Sequence, residues 1–257
     1  AHILPRTMPL VAVPTTAGTG SEATTVTVIT DSVRHVKRIL IHDSLMPDLA
    51  IIDACLMLGV PQHVTAATGM DALSHAIEAY VASGATSMTQ ALAYRAISLI
   101  GESLPIVVGK GSDVAAREAM ALASYMAGIA FSNAGLGLCH AMSHQIGATY
   151  NIAHGVANAI MLPSVMNYNQ LVCKKSYPEI GLALSGRMMD STETIRCVQQ
   201  LIVDIGLPAN LVEAGARRED FPRFAEDALK DPCLTANPRT ACKEEIVGVY
   251  LHAYHRA

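Results

Sequence analysis

Gly69-Met70-Asp71-Ala72-Leu73-Ser74-His75-Ala76-Ile77-Glu78 and Gly135-Leu136-Gly137-Leu138-Cys139-His140-Ala141-Met142-Ser143-His144 decide how this chain is read. Both segments are Ala, Leu and Met text at helical spacing with few β-branched residues, so both predict helices. Asp71 and His75 are four apart, as are His140 and His144, which puts each pair on one helix face. Ten residues beyond His144, His154 opens a third segment, His154-Gly155-Val156-Ala157-Asn158. The surrounding residues are apolar or small, so the helices read as buried, and a buried imidazole has to be hydrogen-bonded or ligated. A divalent transition metal held by Asp71, His75 and two or three of His140, His144 and His154 is one solution. A hydrogen-bonded histidine pair in the core is the other.

The same texture runs outward from these segments. From Pro61 onward the spacing predicts helices over 62–82, 87–108, 113–133, 136–149, 154–167, 176–188, 191–205, 219–229 and 243–254. Asp220 before Pro222 resembles a helix start, and Gly206-Leu207-Pro208 closes the helix before it. The first fifty residues differ: Leu10–Val13, Thr24–Thr30, Arg38–Ile41 and Leu49–Ile52 are short β-branched or apolar runs that predict strands. So few strands leave an edge and an apolar face that something should cover.

Composition narrows the function. The 257 residues are 51% hydrophobic and 16% charged, with a formal net charge of −4, which argues against disorder and against a nucleic-acid partner. No apolar run reaches the roughly 18 residues of a membrane span, because Gly, Ser, His or Asn interrupts each one. The N-terminus shows no signal-peptide pattern and no initiator Met, suggesting a trimmed start. Six cysteines without a C-x-x-C pair suit a reducing compartment, so a cytoplasmic location is expected.

Other candidate residues have plainer readings. Pro14-Thr15-Thr16-Ala17-Gly18-Thr19-Gly20-Ser21-Glu22 is a polar loop whose glycines and hydroxyls suit a phosphate or amide group. It formally contains G-x-G-x-x-A, but a strand follows where the dinucleotide fingerprint requires a helix. Lys37, between Arg34 and Arg38, reads as a solvated charge. Glu78 reads first as a solvated helix-face charge and second as a carboxylate orienting a ligand. Phe131, Met70 and Leu136 are apolar residues suited to walling a pocket.

Taken together, the Thr/Gly loop, Ala67 to Glu78, Phe131-Ser132-Asn133 through His144, His154 to Ala159 and Asn237-Pro238-Arg239 resemble the iron-containing (group III) alcohol dehydrogenases. The resemblance covers essentially the whole chain. It implies a mainly α fold of the dehydroquinate synthase-like type, with residues 1–56 the β-rich end of an α/β nucleotide-binding domain and residues 57–257 an all-helical metal-binding catalytic domain. The Gly-rich loop typical of the family's front domain is absent from this sequence. Carried over by motif position, Asp71, His75, His140 and His154 would bind Fe(II), or alternatively Zn(II), and His144 would be a non-ligand beside the substrate. Thr15, Thr16, Gly18, Thr19, Gly20, Ser21 and Lys37 would face NAD or NADP.

The resemblance further implies hydride transfer between the nicotinamide and a small primary alcohol, diol or aldehyde, His144 carrying the proton, in a homo-oligomer such as a homodimer. Two alternatives fit the same donors: a metal-dependent lyase or hydrolase on this scaffold, or a metal-binding, self-associating module without activity.

Overall fold

The computed structural model describes residues 6–31 and 36–256, excluding the side chains of residues 28, 30, 31 and 36–39. The early segment forms two separate two-stranded sheets. Strand β1 (Val11–Ala12) pairs in parallel with β4 (Leu49–Ala50), and β2 (Val26–Asp31) pairs antiparallel with β3 (Val36–Ile41), Val26 opposite Ile41. Leu10, Val11, Val13, Leu49 and Ile51 around the parallel pair are exposed, the uncovered apolar face expected of so small a sheet.

Helices α1 (Gln62–Val81), α2 (Ser87–Gly109), α3 (Val114–Ala134), α4 (Leu138–Tyr150), α5 (His154–Asn169), α6 (Ser176–Ser185), α7 (Ser191–Asp204), α8 (Phe221–Ala228) and α9 (Lys243–His255) make up the rest. Local chemistry sets their ends. Thr86 with Thr89 and Asp190 with Glu193 form reciprocal caps before α2 and α7, and the Asp113 carboxylate accepts from the Ala116 amide before α3. Helix α6 stops at Ser185, three residues earlier than its periodicity suggests, because Gly186 takes a left-handed φ of 70° and returns its N–H to Leu182. Helix α8 starts between Asp220 and Pro222 as the sequence suggests, although the Asp220 side chain makes no capping bond and accepts instead from the Tyr150 hydroxyl.

Helix α1 is the axis of the core. Every residue from Gly69 to Tyr80 is buried, with α2, α3 and α5 packed around it. Its crossing with α5 is close enough that a Cβ on Gly155 would sit 2.0 Å from the Ala67 carbonyl oxygen. Helices α8 and α9 pack on each other and close over α4 and α5 through Phe221, Phe224 and Tyr250. By length and composition alone an 18-residue window of α2 is apolar enough to cross a membrane, although Arg95, Ser98, Gly101 and Glu102 interrupt its apolar residues as the sequence reading has it. The helix packs against α1, α3 and α6, and half of that window is buried within the bundle.

Candidate metal centre

Three helices bring the donors together. Helix α1 contributes Asp71 and His75, α4 contributes His140, and α5 begins with His154. The chain turns by 108° between α3 and α4, which sets the start of α4 beside α1. One donor atom from each of the four residues lies within 4.8 Å of the others. Asp71 Oδ1 is 3.5 Å from His154 Nε2 and 3.9 Å from Nε2 of both His75 and His140. Of the two sequence readings, a core histidine pair alone does not describe this geometry, because the carboxylate stands among all three imidazoles.

The surroundings set the ring orientations. His75 Nδ1 lies 3.2 Å from the Gly18 carbonyl, and His140 Nδ1 lies 2.5 Å from Glu78 Oε2. Both Nδ1 atoms face acceptors and therefore carry the proton, leaving each Nε2 with its lone pair. Asn158 Nδ2 is 2.8 Å from Asp71 Oδ1 and 3.1 Å from Nε2 of His140 and of His154. With Nδ1 protonated, His75 Nε2 and His140 Nε2 turn their lone pairs toward the Asp71 carboxylate, so acceptors face acceptors here. Such an excess of lone pairs fits a cation, and one carboxylate with three imidazoles suits iron or zinc better than magnesium or calcium.

The charges agree. Burial, then the neighbouring His75 and His154, holds the His140 pKa well below the ordinary histidine value, so the ring is neutral. Burial opposes ionisation of Asp71, but His75, His154, His140 and the Asn158 amide outweigh it and hold the carboxyl below its ordinary range. Burial pushes Glu78 up to about 7 against the opposing amides of Cys139 and Gly137.

Glu78 is the main correction to the sequence reading. It is 5% exposed, accepts from the Cys139 amide at 2.7 Å and meets His140, so it is no solvated charge. Its local signal was its position: Glu78 stands three residues after His75 and seven after Asp71, on the same face of α1. Asn158 was missed although it stands four residues after His154, on the same face. Asn237, whose Oδ1 accepts from the Leu138 amide and anchors the start of α4, was seen only as part of a motif.

The donors open into a cleft of about 500 Å³. Thr19, Ser21, Phe131, Leu136 and His144 line it, and Phe131 stacks on His75 at 4.4 Å. Met70 is instead fully buried in the core. His144 stacks on His154 at 5.3 Å, yet its Nδ1 is bound to Asp231 Oδ2 at 2.7 Å, apart from the four-donor cluster.

Within the Thr/Gly loop, Thr15 is exposed and Thr16 half-buried, neither in the cleft wall. Gly18 and Gly20 are buried where the loop docks, Gly18 so close to α1 that a Cβ would lie 2.8 Å from the Thr68 carbonyl. Lys37 is in β3, and its side chain lies outside the described residues.

A profile described as the Fe-containing alcohol dehydrogenase family, C-terminal, matches residues 65–254, and one described as iron-containing alcohol dehydrogenase matches residues 2–54. The chain belongs to the iron-containing alcohol dehydrogenase family. Among family members, a probable alcohol dehydrogenase, EutG, of Escherichia coli strain K12 is 55% identical over 98% of this chain and 64% of its own length. An NAD-dependent methanol dehydrogenase of Bacillus methanolicus is 44% identical over 96% of this chain and 66% of its own. The crystal structure of a 1,3-propanediol oxidoreductase superposes with a TM-score of 0.94 at 42% identity, covering 98% of this chain and 68% of that one. The chain thus spans just under two thirds of the length of these curated relatives, and its fold is the family's helical domain preceded by a small β segment.

Proposed function

We propose that this chain is the metal-binding catalytic part of an alcohol dehydrogenase or aldehyde reductase acting on a small primary alcohol, diol or aldehyde. The observation that carries the proposal is the convergence of Asp71, His75, His140 and His154 within 4.8 Å at the base of an open cleft. The proposed division is residues 1–56 for the cofactor side and 57–257 for the metal-binding domain; the two profile matches, ending at 54 and starting at 65, support it. The family description iron-containing and a relative named NAD-dependent support Fe(II) and NAD as the groups of this reading.

When bound, the metal would supply Lewis acidity to the substrate oxygen and the nicotinamide would supply or accept the hydride. The chain's own residues do the rest. Glu78 and the Gly18 carbonyl fix the tautomers of His140 and His75, and with Asp71 they keep the donors aimed before anything binds. Asp231 ties down His144 Nδ1, leaving Nε2 to take the hydroxyl proton in oxidation and return it in reduction. Phe131 and Leu136 give the cleft apolar cover, which strengthens electrostatic interactions within it. Thr19 and Ser21 offer hydroxyls to the cofactor from the opposite wall. A homo-oligomer in the cytoplasm is part of the same reading.

The decisive experiment measures metal content and nicotinamide binding on one anaerobically purified sample. One equivalent of Fe(II) that is lost in Asp71→Ala and His140→Ala but kept in His144→Ala, with turnover of a primary alcohol lost in all three, is expected. Protein that takes up no metal after reconstitution with Fe(II) or Zn(II) would overturn the proposal.

A further inference from the structure

The cleft holds a second group of donors that the four-residue cluster does not use. Asp231, Cys233 and His144 each offer an atom within 4.8 Å of the other two. Asp231 Oδ2 is 2.7 Å from His144 Nδ1, while its Oδ1 accepts from the Cys233 amide at 2.9 Å. The second bond closes a tight turn over Pro232, whose ring fixes its own φ, so the thiol and carboxylate are brought together by the backbone rather than by chance rotamers. His144, Pro232 and Cys233 all line the cleft wall.

A carboxylate, an imidazole and a thiol select borderline-soft cations such as Zn²⁺, Co²⁺ and Cd²⁺ and discriminate against Mg²⁺ and Ca²⁺. The electrostatics allow an ion here beside the first cluster. Asp231 and a Cys233 thiolate together neutralise a divalent charge, which limits repulsion from an ion at Asp71, although the His144 and His154 rings are only 5.3 Å apart.

We propose that Asp231, Cys233 and His144 form a second, thiolate-bearing site for a borderline-soft divalent cation, distinct from the Asp71 cluster. Without an ion, burial and then the Asp231 charge keep the Cys233 thiol protonated. Coordination releases that one proton to solvent as the sulfur becomes a thiolate, and the His144 Nδ1 proton moves to Nε2 as Nδ1 turns to the metal. Occupation removes His144 from proton transfer and narrows the cleft. Excess Zn²⁺ is therefore inhibitory if the dehydrogenase reading holds, though the site itself does not depend on that reading.

The test is an anaerobic Co²⁺ titration of the whole chain, with bound metal counted by plasma mass spectrometry and sulfur-to-cobalt charge transfer followed in the near ultraviolet. The native chain is expected to take two equivalents, the charge-transfer band growing with one of them. Cys233→Ser should take a single equivalent without the band, and Asp71→Ala a single equivalent with it. Asp231→Asn, which keeps the side chain's shape, should weaken the band-forming equivalent by about tenfold or more, and circular dichroism confirms that each variant is folded. A single equivalent in the native chain, a second equivalent without the band, or a band that survives in Cys233→Ser would overturn the proposal. Asp71→Ala protein that keeps both equivalents and the band would sink the four-donor reading while supporting this one.

Discussion

Asn158 Nδ2 lies 2.8 Å from Asp71 Oδ1, so the amide occupies the position among the donors where positive charge is wanted. Asn158→Ala should therefore behave differently with and without metal. In chelator it removes a buried donor from several acceptors and should cost about 1–3 kcal/mol. With Zn²⁺ bound, the loss should shrink. Thermal melts in chelator and in excess Zn²⁺ measure both, and equal losses in the two conditions would refute the idea.

Glu78→Gln keeps the size of the side chain but turns one acceptor oxygen into an NH₂ group. Facing the His140 Nδ1–H and the Cys139 amide, the glutamine can serve one of them well and not both. Metal affinity should fall about 10–100-fold, read by competition with a chromophoric chelator. An unchanged affinity would mean that the contact is structural only.

Gly155→Ala places a Cβ 2.0 Å from the Ala67 carbonyl oxygen, a backbone atom that can yield only if α5 moves off α1. A loss of about 1–3 kcal/mol is expected from overpacking, together with weaker metal binding, because Asp71 and His154 ride on these two helices. Gly248→Ala in α9 is the control. It has no atom within 4 Å of the added carbon and should gain up to about 1 kcal/mol from helix propensity alone. Denaturant melts of the pair test both signs.

Glu22 is 5% exposed, and burial pushes its carboxyl above the ordinary value despite a bond from its own amide. An acid whose folded pKa exceeds its unfolded pKa costs stability when ionised, and that cost fades as pH falls through the folded value. Glu22→Gln should thus raise Tm at neutral pH, with the gain shrinking in acid. A gain that grows on acidification would show that the ionised carboxylate is stabilised by the fold.

How much of this was legible depended on range. Helices α1 to α9 and the spacing of Asp71, His75, His140 and His154 could be read because a 3.6-residue period and an i, i+4 pair are local properties. The choice among the three later histidines was not local: it depends on the crossing at Gly155 and on Asp231, 87 residues from His144. For Glu78 the helix face shared with Asp71 and His75 was local, but the partners that bury it lie 61 and 62 residues away. Strands β1 and β4 were read longer than they are, having only each other to pair with among the described residues, while β3 was read shorter than its pairing with β2 makes it.

Glu78 does two jobs with one carboxylate, accepting from the Cys139 amide in the first turn of α4 through Oε1 and from the His140 ring through Oε2. The opening turn of α4 therefore cannot fray without releasing the imidazole that follows it. Local breathing of the helix and loss of donor aim become a single event, so the exchange rate of the Cys139 amide is a direct gauge of how often the centre comes apart. Anything that tightens that first turn, including occupation of the site itself, should slow the exchange in proportion.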